Sequence, residues 1–415
     1  MGMKILLIDL EFYPLANANI AILFRLFGNQ PEPEVSVLTE WIDGPQKETV
    51  QGIKIIRKEI HSARTVHKPA RNLGSLGQYA GLLGAKVKTM RADNNIDYKR
   101  AEDFLAGVKK VLAGVKFDAV ISVSSPIESH ICGQRIAAMY HVPWIPYYLD
   151  PFSTNHVFPE NTQASRIRFE EELLSHAGHM LMMEPIPDDY LSHQVHLDEN
   201  KVTVLGLPGI RHVAAMGRKP DFFDTQAVNC VFIGNLYAGI RNPGRLIELF
   251  KKLGNGYHLY FIGNHSDPEL QKQYRENSYG LLENVTFIDP VPASEAEEIM
   301  MAADVLVNIG NSVENQIPSK IFDYISSGRP VLNLYKIKNC PSLQYFREYP
   351  SVVHVFEEEA DKPETVQKVR GFLDEAGNMK PLDEKIIREI WKENTPETVR
   401  AHILEALRQV TGGQS

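Results

Sequence analysis

Ser312-Val313-Glu314-Asn315-Gln316-Ile317-Pro318-Ser319-Lys320-Ile321-Phe322-Asp323-Tyr324-Ile325-Ser326-Ser327-Gly328-Arg329-Pro330-Val331-Leu332 reads as a polar loop, a helix and a buried strand in succession. Pro318 suits the first helical position, where its missing N–H costs nothing. Ile321, Phe322 and Ile325 recur at helical spacing on one face. Gly328 is a natural stop and Pro330 prevents continuation, so Val331 and Leu332 open a strand. The start of such a helix carries unpaired backbone N–H groups and a partial positive charge, and Lys320 adds a full one. That end suits phosphate. Asp323 lies one turn after Lys320, where its carboxylate can meet a ribose diol while the helix end holds a diphosphate.

Outward from this segment, short β-branched runs alternate with longer helical patterns. In the first half the strands are expected at Lys4–Ile8, Glu34–Leu38, Ile53–Arg57, Ala119–Val123, Trp144–Tyr148, His179–Met183 and Lys201–Leu205. Helices fill Ala18–Phe27, Tyr98–Leu112, Ile127–Tyr140 and Ala164–His176. Residues 214–228 interrupt the rhythm with Gly217, Pro220, Asp221 and Asp224. The alternation then restarts, with strands at Asn229–Ile233, His258–Ile262, Asn284–Phe287, Val305–Ile309 and Val331–Leu334. Between them the pattern predicts helices at Pro243–Leu253, Asp267–Tyr279 and Ser294–Ala302. The fold class is α/β: two Rossmann-like, doubly wound parallel-sheet domains facing across a cleft. The expected division is 1–210, a link at 211–228, a second domain at 229–395, and a helix at 396–415 that either covers the second domain or crosses back to the first. Asp383–Trp391 and Pro396–Val410 are the tail's helical patterns, the latter with an apolar stripe of Val399, Ile403, Leu404 and Leu407. Ligands of such sheets gather at the carboxyl ends of the strands.

Composition narrows the classes. With 415 residues, 43% hydrophobic and 23% charged, the chain is an ordinary globular one of two or three domains. A net charge of -8 and the lack of a basic tail argue against nucleic acid as a partner. Cys132, Cys230 and Cys340 lie too far apart for a disulfide framework or a metal knuckle, which fits a reducing cytoplasm. The apolar run Ile5–Ile8 is too short for a signal segment, and no run reaches the ~20 apolar residues of a membrane span. From Lys54 to Arg100, however, Lys54, Arg57, Lys58, Arg64, Lys68, Arg71, Lys86, Lys88, Arg91, Lys99 and Arg100 face only Glu59, Asp93 and Asp97. This is a local positive field suited to anionic lipid or a lipid-linked phosphate, on the inner face of a membrane.

Several residues fall just after successive strands of the second half. Gly234, in Val231-Phe232-Ile233-Gly234-Asn235-Leu236, lets a ligand approach the backbone. Arg241 precedes a helix start, where a guanidinium can clamp phosphate oxygens. Gly263 repeats the glycine device in Tyr260-Phe261-Ile262-Gly263. Val291, between Pro290 and Pro292, sits in a stiff loop that can present backbone groups to a base.

Together these motifs resemble the retaining, metal-independent glycosyltransferases of GT-B fold, in particular the GT4-like group that builds bacterial surface polysaccharides. The resemblance rests on Gly234-Asn235-Leu236, Arg241, Gly263, Phe287-Ile288-Asp289-Pro290-Val291, Asn315 to Asp323 and Gly328-Arg329-Pro330-Val331. It extends more loosely to Phe12-Tyr13-Pro14, Ser124-Ser125-Pro126 and Leu149-Asp150. Departures are specific. Asn315, next to Glu314, stands for the family's first glutamate and Asp323 for its second. Asn235 replaces a basic residue, Arg241 a lysine, and Leu149 a histidine. Ala16-Asn17-Ala18-Asn19 stands where a glycine pair is usual.

The resemblance implies sugar transfer from a nucleotide diphosphate to a hydroxyl of a glycan or lipid-linked acceptor, without cofactor or metal and with retention. Arg241 and Lys320 would stabilise the leaving diphosphate, with Glu314 and Asp150 as the other catalytic candidates. Donor contacts would come from Gly234, Asn235, Gly263, Val291, Asn315, Ser319 and Asp323; Asn17, Asn19 and His156 would face the acceptor. The alternatives are a GT-B-like nucleotide-sugar binder without turnover and a nucleotide-sugar 2-epimerase.

Overall fold

A computed structural model of the chain describes residues 2–15, 17–60, 95–213, 219–239, 241–276, 282–314 and 317–412. It divides into two compact units, Met1–Pro208 with Pro396–Ser415, and Gly209–Thr395.

The first unit is built on β1 (Lys4–Ile8), β2 (Glu34–Glu40), β3 (Lys47–Val50), β4 (Ile53–Lys58), β5 (Ala119–Ser124), β6 (Trp144–Tyr148), β7 (Met180–Met183) and β8 (Val202–Leu205). Their spatial order is β3-β4-β2-β1-β5-β6-β7-β8. All neighbours are parallel except β3 and β4, which form a hairpin. Gln51 and Gly52 join them with φ of 48° and 79°, the two positive values a tight two-residue turn requires. The continuous apolar runs of β1, β5 and β6 follow from helices on both faces of a parallel sheet. The Pro396–Thr411 helix belongs to this unit: it buries Val399, Ile403, Ala406 and Leu407 and packs on β8 and on the Ala18–Phe27 helix. Arg400 there donates to the Leu26 carbonyl at 3.1 Å.

The second unit holds β9 (Val228–Ile233), β10 (Tyr257–Ile262), β11 (Val285–Ile288), β12 (Val305–Ile309), β13 (Val331–Tyr335) and β14 (Val352–Phe356). They run parallel in the order β11-β10-β9-β12-β13-β14. One face carries a core of Phe232, Leu259, Phe261, Val307 and Leu332 against Leu246, Leu249, Phe250 and Leu373 from the Gly244–Leu253 and Pro363–Ala376 helices.

Four local findings differ from the sequence reading. The expected Tyr98–Leu112 helix is two, Tyr98–Leu105 and Val108–Val111, because Gly107 between them takes φ 70°. β3, β14 and the Pro363–Ala376 helix are additional elements. The helix after β12 spans Lys320–Ser327, so Pro318 precedes its cap at Ser319 rather than occupying its first turn. The described part of 211–228 is packed rather than extended: Phe223 is buried, and Phe222 and Phe223 lie 5.6 and 5.1 Å from the Tyr260 ring. Residues 277–279 of the expected Asp267–Tyr279 helix lie outside the described residues.

Candidate functional site

In the second unit β9 is the switch point, with β10 and β11 to one side and β12 to β14 to the other. The order in which strands are added reverses between β9 and β12, and ligands of such sheets gather between the loops leaving those two strands. The loops after β9 and β10 are in close backbone contact. Gly234 N–H donates to the Ile262 carbonyl at 2.9 Å and Gly263 N–H to that of Ile288 at 3.0 Å. Gly263 has φ 137°, and a Cβ there would sit 2.2 Å from the Gly234 oxygen, so glycine is required. Asn235 is exposed and accepts from the Asn264 N–H at 3.4 Å.

Arg241 reaches across the switch point. Its backbone pairs with Tyr237 as an isolated bridge, and its Nε donates to Asn311 Oδ1 at 3.1 Å. Asn311 is buried just beyond β12. Arg241 is half-buried, and among the described residues no carboxylate pairs with it. Burial lowers the pKa of its guanidinium, while Tyr237 and Tyr324 act the other way; the group stays charged at neutral pH. Tyr324, on the Lys320–Ser327 helix, accepts from the Ile233 N–H at 3.1 Å and ties that helix to the end of β9.

Lys320 and Asp323 do come together, 3.4 Å apart. Sequence reasoning missed their third partner. Arg211 donates from Nε to Asp323 at 3.2 Å and from a terminal nitrogen to Glu297 at 2.8 Å. Its own N–H donates to Ser326 Oγ at 3.1 Å. Burial opposes the Arg211 charge, but the Asp323 and Glu297 carboxylates outweigh it and raise its pKa. Asp323 is therefore buried under a cation from outside its helix. Ser319 caps the helix position without a side-chain cap bond. Glu314 is exposed, with Asn339 donating to it at 3.3 Å, and Val291 is half-buried in the loop after β11. Asn315 lies outside the described residues. Thus Gly234, Arg241, Gly263, Val291, Glu314, Ser319 and Lys320 gather at the carboxyl edge of one sheet.

In the first unit, Asp150 follows β6, and burial raises its pKa against the opposing charge of His156. His156 is exposed nearby in the same loop. That loop is fixed from beneath. Arg166, 1% exposed, donates to the Ser153 carbonyl at 3.2 and 3.0 Å, and Glu170, 0% exposed, accepts from Ser153 N–H and Tyr190 Oη at 3.2 and 2.8 Å. Asn17 turns out to be a helix cap, accepting from Ile20 N–H at 2.8 Å, and Asn19 is half-buried in the first turn. The capping role accounts for an asparagine at that position without a ligand.

The described members of the basic run are paired locally. Arg100 grips Glu40 with two hydrogen bonds of 2.7 and 2.9 Å and Glu11 with one of 3.1 Å. Arg57 pairs with Glu48, Lys54 with Glu34 and Lys99 with Asp103, while Lys58 donates to the Asp103 carbonyl. The acids come from outside the run, so the positive field expected from sequence is cancelled at Lys54, Arg57, Lys99 and Arg100. Arg64, Lys68, Arg71, Lys86, Lys88 and Arg91 lie outside the described residues. Beside Arg100, Asp9 is buried at the end of β1, and burial lifts its pKa to about 7.

Two parallel-sheet units of this kind are the architecture of the GT-B glycosyltransferases, and solved structures agree in fold over the whole chain. Sucrose-phosphate synthase from Thermosynechococcus elongatus is similar at a TM-score of 0.67 and 14% identity, over 99% of this chain and 100% of that one. Anabaena HepE, solved in complex with UDP and glucose, is similar at 0.61 and 14%, over 98% and 99%. WaaG, a glycosyltransferase involved in lipopolysaccharide biosynthesis, is similar at 0.53 and 15%, over 99% and 100%. A search of the curated proteins finds no match. Residues 227–340, from β9 to just beyond β13, match the family model of the glycosyl transferases group 1. The matched span contains Gly234, Arg241, Gly263, Asn311, Lys320 and Asp323.

Proposed function

We propose that the protein transfers a sugar from a nucleoside-diphosphate donor, bound between the loops leaving β9 and β12, to a hydroxyl of a glycan or lipid-linked acceptor. One observation carries this reading: Arg241 is a half-buried guanidinium at the switch point with no carboxylate partner among the described residues. A diphosphate supplies the missing anion, and its charge grows as the sugar–oxygen bond breaks, so a cation fixed beforehand favours the transition state. The start of the Lys320–Ser327 helix adds N–H donors. Asp323, oriented by Arg211, meets the ribose. That HepE, alike in fold, was solved with UDP and glucose supports a uridine-type donor.

The reaction is metal-independent and retaining in this reading, with the cations doing the work of a metal. Asp150 and His156 face the acceptor. Location is cytoplasmic; peripheral contact with anionic lipid would fall to the basic residues between Arg64 and Arg91. Among the described residues no helix is long and apolar enough to cross a membrane. Pelleting with anionic vesicles at low salt tests that contact, and no binding removes it.

The deciding test is a thermal-shift panel of UDP, GDP and ADP sugars, with and without EDTA, on wild type and Arg241→Ala. Native-state stabilisation grows with the logarithm of ligand over Kd. A shift by one nucleotide, indifferent to EDTA and lost in the variant, is expected; a shift unchanged in Arg241→Ala refutes the site. Product analysis without acceptor separates transfer from 2-epimerisation.

A further inference from the structure

We infer that Asn311 is a positioning residue which fixes Arg241 for the diphosphate while leaving its charge unneutralised. The inference rests on the donor reading above and adds a residue that neither the sequence motifs nor the family resemblance singled out.

A guanidinium has five N–H donors in a rigid fork. Arg241 gives its inner donor, Nε–H, to Asn311 Oδ1 at 3.1 Å. One bond at Nε sets the plane and direction of the whole fork, and leaves the outer edge, with its two terminal nitrogens, in the bidentate geometry that phosphate oxygens match. The amide is itself held. Asn311 is 5% exposed and follows Gly310. The Gly310 N–H donates to the Leu334 carbonyl at 2.8 Å, and a Cβ at Gly310 would lie 2.8 Å from Cys340 Sγ. The turn that presents Asn311 is therefore packed tightly against the end of β13.

The choice of an amide is the informative part. Three other buried or half-buried arginines of this chain are held by carboxylates: Arg211 by Asp323 and Glu297, Arg100 by Glu40 and Glu11, Arg57 by Glu48; Arg166 and Arg329 donate to backbone carbonyls, of Ser153 and Met301, inside the fold. The carboxylate pairs stabilise the fold but cancel the charge. An aspartate at 311 would make the same Nε bond, better than an amide does in isolation. It would also set a negative charge where an anionic ligand must approach. The neutral acceptor orients the cation and keeps it available to the diphosphate.

The test compares wild type, Asn311→Asp, Asn311→Ala and Arg241→Ala in the full-length chain. Melting temperature is read first, then Kd for UDP, GDP and ADP against their parent nucleosides at two salt concentrations. Asn311→Asp is expected to melt at or above wild type yet bind the diphosphate about ten- to a hundredfold more weakly, the loss of one charged contact. Its affinity for the nucleoside should not move, and its diphosphate binding should lose salt dependence. Asn311→Ala should bind weakly but keep that salt dependence. A residue that merely supports the fold would lower melting temperature and affinity together. If Arg241→Ala loses diphosphate binding while Asn311→Asp keeps it, the inference falls and the donor site stands. If Arg241→Ala binds as wild type does, both fall.

Discussion

Replacing Gly263 with alanine probes the donor site through its backbone. The loops after β9 and β10 touch at Gly234 and Gly263, and an alanine Cβ at 263 would meet the Gly234 oxygen at 2.2 Å and its carbonyl carbon at 2.8 Å. Both are backbone atoms, so no side-chain rotation relieves the overlap. The φ of 137° adds strain for any L side chain, of order 1–3 kcal/mol. Separating the two loops also breaks the Gly234 N–H bond to Ile262, about 1 kcal/mol. The sum is about 3 kcal/mol, or roughly 6–12 °C in the melting of a unit of this size. Gly234→Ala is the control. Its φ of 154° carries strain too, but the added Cβ meets only the ring of Phe232 at 3.3 Å, which can turn, so the backbone overlap is absent and about 1–2 kcal/mol is expected. The assay is calorimetry of the full chain, the second unit's transition being the one a nucleoside diphosphate is expected to shift if the proposed donor site is right. Gly263→Ala should also lose that shift, since the displaced loop carries Gly234. Equal melting of the two variants would refute the argument from backbone contact.

Asp9 offers a pH test. Burial raises its folded pKa to about 7 from an ordinary 3.8, so the folded state holds the proton more tightly than the unfolded one. Wild type therefore loses stability as pH climbs through that window, by up to about 4 kcal/mol above pH 7. Asp9→Asn removes the dependence: denaturant melts should favour it at pH 8 and show little difference at pH 4, and a gap constant across pH contradicts the assignment. Asn155→Ala tests the loop proposed to face the acceptor, since Asn155 ties it together by donating to the Pro151 carbonyl at 3.2 Å and accepting from the Val157 N–H at 3.1 Å. Steady-state kinetics should show acceptor KM rising several-fold with donor KM unchanged; the reverse pattern would place the loop on the donor side.

Much of the architecture could be read from the sequence because parallel strands covered on both faces leave continuous apolar runs, as in Ile5–Ile8 and Val305–Ile309. The boundary glycines were equally visible, each following such a run. Charge was the hard part. A run such as Lys54 to Arg100 looks basic when only neighbours in sequence are counted, yet Glu34, Glu40, Glu48 and Asp103 reach it through strand pairing and helix packing. The same limitation hid Arg211, which sits in a stretch that reads as a link, and Asn311, a single amide with no periodic signal. The polar residue directly after the glycine that ends β12 was the one available clue.

That blindness to partners also changes the ranking of the two cations picked out for the diphosphate. In sequence Arg241 and Lys320 are equivalent, each beside a helix start. In the folded chain Lys320 is shared with Asp323, and so is Arg211, whereas Arg241 meets an amide. An ion pair at the surface contributes little, and its ammonium can leave for a better anion. A half-buried guanidinium without a carboxylate gains most from a dianionic ligand, because the burial that lowers its pKa also strengthens the attraction once water is displaced. Arg241 should therefore dominate donor affinity, and Lys320 should matter more to the Asp323 carboxylate it adjoins than to the phosphates.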